Sequence, residues 1–315
     1  MKRRDFIGLV AASSAMLPAQ ALAQAPRGPY RIGLLGLLDK SPFDAPLASG
    51  LAKHGYVIDR NVVAERRPTQ LVSELVASKV DLVITFGYKA ALAAKEGTTL
   101  PVVIFSAGDP LQTGLAASLA RPGGHLTGIS DISAEVTPKR MELLKEFTPK
   151  LRRVAMLWNA DDLAMTLRYK ASEAGAKALG IDVQALGVRE PADFDQAFDA
   201  MRRDPPDGIL MVSDPLTNLN RVKVFEFAAQ QRLPGIYEYD FIARSGGLMS
   251  YGPDLDETFD RVAALVDRIL KGAKPAELPF EQPTTFRFVL NLKAAKALGG
   301  AVPPELLARA DEVIE

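Results

Sequence analysis

Arg31-Ile32-Gly33-Leu34-Leu35 is answered 122 residues later by Arg153-Val154-Ala155-Met156-Leu157, and that recurrence decides the fold. Further pairs follow in the same order. Val80-Asp81-Leu82-Val83-Ile84 returns as Pro206-Asp207-Gly208-Ile209-Leu210, and Leu100-Pro101-Val102-Val103-Ile104 as Leu233-Pro234-Gly235-Ile236-Tyr237. His54-Gly55-Tyr56-Val57-Ile58 pairs with Leu179-Gly180-Ile181-Asp182-Val183, and Gly123-Gly124-His125-Leu126-Thr127-Gly128 with Gly246-Gly247-Leu248-Met249-Ser250-Tyr251. Self-similarity at a nearly constant offset means that one structural unit is used twice.

Within each copy, short apolar runs alternate with stretches of helical spacing. Val102 to Phe105 and Ile209 to Val212 are continuous apolar runs, the pattern of parallel strands covered on both faces. Leu71 to Lys79 and Val222 to Arg232 have helical spacing. Leu-Pro before the fourth strand and Gly-Gly before the fifth mark the same turns in both halves. Each half therefore reads as a five-stranded doubly wound α/β sheet in the order 2-1-3-4-5. After the second copy come an amphipathic helix over Asp256 to Leu270 and a strand-like Phe286 to Leu290. A closing helical tail is expected. These elements imply several crossings between the lobes, with residues 26–132 plus 253–285 as lobe 1 and 133–252 plus 286–315 as lobe 2.

The 315 residues carry a formal net charge of 0, which becomes −2 once the first 25, with Lys2, Arg3, Arg4 and Asp5, are removed. No basic run tracks a phosphate backbone, so nucleic acid is not an expected partner. Lys2-Arg3-Arg4, the apolar Phe6 to Val10 and the small-x-small steps up to Ala25 read as a cleavable export signal of twin-arginine type. The apolar stretch is too short and polar for a membrane anchor. The expected compartment is the periplasm. The chain has no cysteine, which excludes disulfides, thiol catalysis and a lipidated N-terminal Cys.

Ligands of open parallel sheets bind at the carboxyl ends of the strands, so two facing sheets place their strand ends across one cleft. The candidates there are Lys40, Ser41, Tyr88, Lys89, Ser106 and Asp131 from lobe 1, with Trp158, Asn159, Asp214, Glu238 and Tyr251 from lobe 2. Asp39, Phe43, Gly87, Asp109, Ser130, Ser213 and Tyr239 lie at the same ends. Asp214 is read both as the main polar contact from lobe 2 and as a helix cap before Pro215. Asp161-Asp162 reads as a helix N-cap pair. Enzyme motifs fail: there are two histidines, His54 and His125, and no G-x-x-x-x-G-K, G-x-G-x-x-G or G-x-S-x-G run. No metal or cofactor is expected.

Several stretches together resemble one family. They are Gly108-Asp109-Pro110, Ser118-Leu119-Ala120-Arg121-Pro122-Gly123-Gly124, Lys139-Arg140-Met141-Glu142-Leu143-Leu144-Lys145 and Leu157-Trp158-Asn159. Asp214-Pro215-Leu216, Gly246 to Gly252, Asn291-Leu292-Lys293 and the ending Ala310 to Glu315 complete the set. Over nearly the whole mature length the chain resembles ABC-transporter substrate-binding proteins of the tryptophan/tyrosine type. The resemblance implies a type I periplasmic binding clamshell, a monomer that hands a small polar or aromatic solute, amino-acid-like or an organic anion, to an inner-membrane ABC permease. The other role open to such a clamshell is ligand sensing for a membrane receptor. Where relatives carry a Gly-Thr/Ser-Pro-like step, this chain reads Gly87-Tyr88-Lys89, which places a phenol and a cation there.

Overall fold

The computed structural model describes residues 29–37, 39–130 and 132–315. The expected export signal over residues 1–25 and the candidate Asp131 lie outside the described residues.

The first copy folds as β1 (Tyr30–Leu35), α1 (Asp44–Lys53), β2 (Val62–Arg67), α2 (Val72–Ala77), β3 (Leu82–Phe86), α3 (Tyr88–Gly97), β4 (Val102–Phe105) and β5 (Leu126–Ile129). Its strands pair in parallel in the order β2-β1-β3-β4-β5. Every residue of β3 and β4 is buried, as a central strand covered by helices on both faces requires.

The second copy runs α4 (Ser133–Phe147), β6 (Arg153–Asn159), α5 (Leu163–Ala178), β7 (Asp182–Val188), α6 (Asp193–Arg203), β8 (Gly208–Met211), α7 (Pro215–Leu219), α8 (Arg221–Gln231), β9 (Gly235–Tyr237), α9 (Asp240–Arg244) and β10 (Met249–Pro253). Then follow α10 (Leu255–Leu270), β11 (Phe286–Asn291), α11 (Leu292–Ala297), α12 (Pro304–Arg309) and β12 (Glu312–Ile314). The second sheet repeats the same order as β7-β6-β8-β9-β10 and extends it with β11 and β12. It thus has seven strands where the repeat predicts five. β11 runs antiparallel to β10, and β12 pairs parallel with β11. The tail, expected to be helical, ends in β12. That strand is only three residues long, too short for periodicity to mark, and exists because the edge of β11 offers it hydrogen bonds.

α10 follows the second sheet in sequence but packs on α1 and on β4 and β5 of the first. Asp254 caps it by accepting from the Glu257 N–H at 2.9 Å. Phe259, Val262, Ala263, Val266 and Ile269 form its buried face. The approach to α1 is close: a Cβ on Gly50 would stand 2.7 Å from the Phe259 carbonyl oxygen. Among the described residues, the chain therefore passes between the sheets after β5, after β10 and between α10 and β11. Two of these passages are bonded to each other, since the Ser130 N–H donates to the Glu281 carbonyl at 2.7 Å.

Candidate functional site

The carboxyl ends of both sheets open onto one cleft, whose empty space including its open mouth is about 900 Å³. The β1 loop contributes Gly36, Leu37 and Asp39 to Phe43; the ends of β3 and β4 contribute Phe86, Gly87, Tyr88, Phe105 and Ser106. From the other sheet come Asp162 and Met165, then Ser213, Asp214, Pro215, Asn218, Leu219 and Arg221, and finally Tyr239 and Phe241. Gly87, at φ +85°, makes the reversal from β3 into α3.

One side of the cleft is aromatic. The Phe43 ring lies 6.1 Å from Phe86 and 5.0 Å from Phe105, and across the cleft 6.1 Å from Tyr239 and 5.6 Å from Phe241. Rings at such spacings present π-faces and edges to a flat guest. The lobes also touch through polar groups. Ser106 Oγ and the Tyr239 hydroxyl share a hydrogen bond of 3.0 Å, and Arg168 Nη2 donates to Ser106 Oγ at 3.3 Å.

The other side is acidic. Asp214 caps α7, accepting from the Thr217 N–H at 2.8 Å and from Asn159 Nδ2 at 2.6 Å. Burial pushes its carboxyl above the usual range, against those donors. Asp162 caps α5, accepting from the Met165 N–H at 3.1 Å. Burial foremost, helped by the Asp214 charge and opposed by the Met165 N–H and Lys89, pushes Asp162 up to about 6.

Of the residues singled out in the sequence, Lys40, Ser41, Tyr88, Ser106 and Asp214 line the cleft. Lys89 is exposed on α3 and acts on both carboxylates through space. Asn159 stands behind the wall, orienting Asp214. Glu238, Trp158 and Tyr251 do not line the cleft. Glu238 is 3% exposed and ion-paired to Arg140 at 3.4 Å and Arg168 at 3.0 Å. Its strand-end position is as read, but two buried guanidiniums hold the carboxylate inside lobe 2. Trp158 stacks on Tyr169 at 3.8 Å, and Tyr251 on Phe286 at 6.1 Å. Their partners sit on α5 and β11, which the strand-end rule does not take into account.

Sequence reasoning missed Phe86, Phe105, Phe241, Met165, Asn218 and Arg221 as cleft residues. Phe86 and Phe105 are the last residues of β3 and β4, and that strand-end position is the signal in the sequence that could have found them. Asp162 was read as a cap, which it is, and its place in the cleft was missed.

A family model described as ABC transporter substrate binding protein matches residues 49–314. A tyrosine-binding protein of Clostridioides difficile (strain R20291) is 25% identical over 235 residues, 72% of this chain and 66% of that protein. The match spans just under two thirds of that relative's length. Among solved structures, an ABC domain from Streptococcus pneumonia in complex with L-Trp is 25% identical, with a TM-score of 0.83 over 91% of this chain and all of the other. A conserved domain protein from Vibrio cholerae O1 biovar eltor has the same TM-score at 23% identity, over 90% of this chain and 99% of the other.

Proposed function

This chain belongs to the ABC transporter substrate-binding proteins, and on that footing we propose that it is the periplasmic capture component of an importer for a small aromatic amine such as an amino acid. The family and its relatives are binding proteins rather than enzymes, and the fold is the type I periplasmic binding fold. The observation that carries the ligand class is the pairing, in one cleft, of the rings around Phe43 with the buried carboxylates of Asp162 and Asp214. An aromatic body would fill the first, and an ammonium would offer Asp214 the charge it lacks. The relatives named for tyrosine and holding L-Trp support that reading.

Capture would proceed by hinge closure of residues 26–132 plus 253–285 on 133–252 plus 286–315. A micromolar ligand supplies roughly 8 kcal/mol, enough to outweigh an open–closed gap of a few kcal/mol. The closed lobes would then present one continuous face to an inner-membrane permease. Native mass spectrometry of protein recovered from the periplasm without refolding tests the reading. A retained aromatic amine is expected; a retained sugar or inorganic anion would refute the ligand class. Replacing Arg3 and Arg4 with lysine tests the export route, with precursor expected to stay in the cytoplasm.

A further inference from the structure

The charge on the inner wall of the cleft is one-sided. Among the described lining residues, Asp162 is 4% and Asp214 6% exposed. The basic lining side chains are Lys40, which is exposed, and Arg221, which is half-buried and already donates to the Asn218 carbonyl at 2.6 Å and to Ser245 Oγ at 3.0 Å. Each buried carboxylate is held by neutral donors: backbone N–H at Asp162, and backbone N–H, hydroxyl and amide groups at Asp214. The nearby cation, Lys89, reaches from the opposite lobe and is itself exposed. Two buried carboxylates in mutual repulsion, beside a roomy aromatic cavity, favour a guest that brings positive charge. Among the described residues lining that wall no basic side chain is buried, and the buried Arg168 behind it is ion-paired to Glu238 at 3.0 Å.

Resting on the capture reading above, we propose that Asp162 is a second, specificity-determining contact of the cleft and that the cargo class is an arylalkylamine whose carboxylate, if present, is dispensable. The ammonium faces Asp162 and Asp214 together, and the ring sits against Phe43. Capping alone requires no carboxylate charge at Asp162, since Asn caps a helix equally well. Ligand selection does require it.

Three probes that share one ring separate the possibilities: tyramine, L-tyrosine and 4-hydroxyphenylacetate, titrated calorimetrically into the mature protein at pH 7.5. Tyramine is expected to bind at least as tightly as L-tyrosine, and 4-hydroxyphenylacetate not at all. Asp162→Asn is expected to weaken tyramine at least tenfold without lowering the melting temperature. Binding of L-tyrosine or 4-hydroxyphenylacetate with silence from tyramine overturns the proposal and leaves the capture reading intact. Unchanged tyramine affinity in Asp162→Asn overturns the role of Asp162. Silence from all three overturns the arylalkylamine class, and the mass spectrometry of retained cargo then judges the capture reading separately.

Discussion

At Asp214 a helix cap and a cleft carboxylate are the same side chain, with one oxygen on the Thr217 N–H and the other on Asn159. Asp214→Asn keeps the capping oxygen and removes the charge. The cap on the Thr217 N–H survives, but the new amide nitrogen cannot accept from Asn159 Nδ2, so the melting temperature should fall modestly. Loss of a charged contact of ~1.5–3 kcal/mol, by contrast, lowers affinity for an aromatic amine about 10- to 150-fold. Equal affinity by calorimetry would show that Asp214 is a cap alone. Asp162 predicts a pH effect of definite sign. Its folded pKa of about 6 lies above the ordinary 3.8, so between these values the folded chain holds a proton that the unfolded chain has released. Stability from this group therefore falls as pH rises from 4 to 6, by up to ~3 kcal/mol. Asp162→Asn, which does not ionise, should gain on the wild type above pH 6 and show no gain below pH 4. Urea unfolding at both ends of that window checks it; a gain at pH 4 would contradict the assignment. Asp214 and Lys89 face Asp162 in both proteins, so the difference between the curves reports mainly the substituted carboxyl.

Among the elements, α10 makes the sharpest demand on a single residue. Gly50 lets α1 approach the Phe259 carbonyl, and any Cβ there meets backbone that cannot rotate away. Gly50→Ala should cost ~1–3 kcal/mol, seen as a lower urea midpoint, despite the better helix propensity of alanine. This packing also marks how far the sequence could be read. The repeat revealed both five-strand orders because each unit carries its own turn residues and apolar runs. The apolar stripe of α10 was equally plain, but a stripe does not say which sheet it covers. β12 and the cleft role of Asp162 were hidden for a shared reason. Three residues have no periodicity, and a capping Asp looks the same whether its other oxygen meets solvent or a ligand. In the cleft, Lys40, Ser41, Tyr88, Ser106 and Asp214 followed from the strand-end rule. Glu238 did not, because its partners Arg140 and Arg168 come from α4 and α5, remote in sequence.

For the whole molecule, the contacts across the cleft describe lobes already drawn together. Phe43 meets Tyr239 and Phe241, and Ser106 meets Tyr239. Tyr239→Phe removes one interlobe hydrogen bond, worth ~0.5–1.5 kcal/mol, and keeps the ring. Small-angle scattering should show its ligand-free form with a larger mean radius of gyration than the wild type, and saturating tyramine or L-tyrosine should bring the two together. Equal radii before ligand would show that the Ser106–Tyr239 bond does not hold the lobes.

The placement of α10 on the first sheet has a consequence for the order in which this chain is made. The strands of lobe 1 are complete at Ile129, yet the helix that covers α1 begins at Leu255. At synthesis rates of about 5–20 residues per second, the first lobe waits roughly 6–25 s with that face uncovered. Leu47 and Leu51, buried in the finished protein, are the side chains left waiting. Ribosome-stalled chains that end just before Leu255 should be cleaved by protease in α1, and chains stalled far enough beyond Leu270 to clear the exit tunnel should be protected there. Equal protection in both would mean that the first lobe seals itself without help from its late-arriving helix.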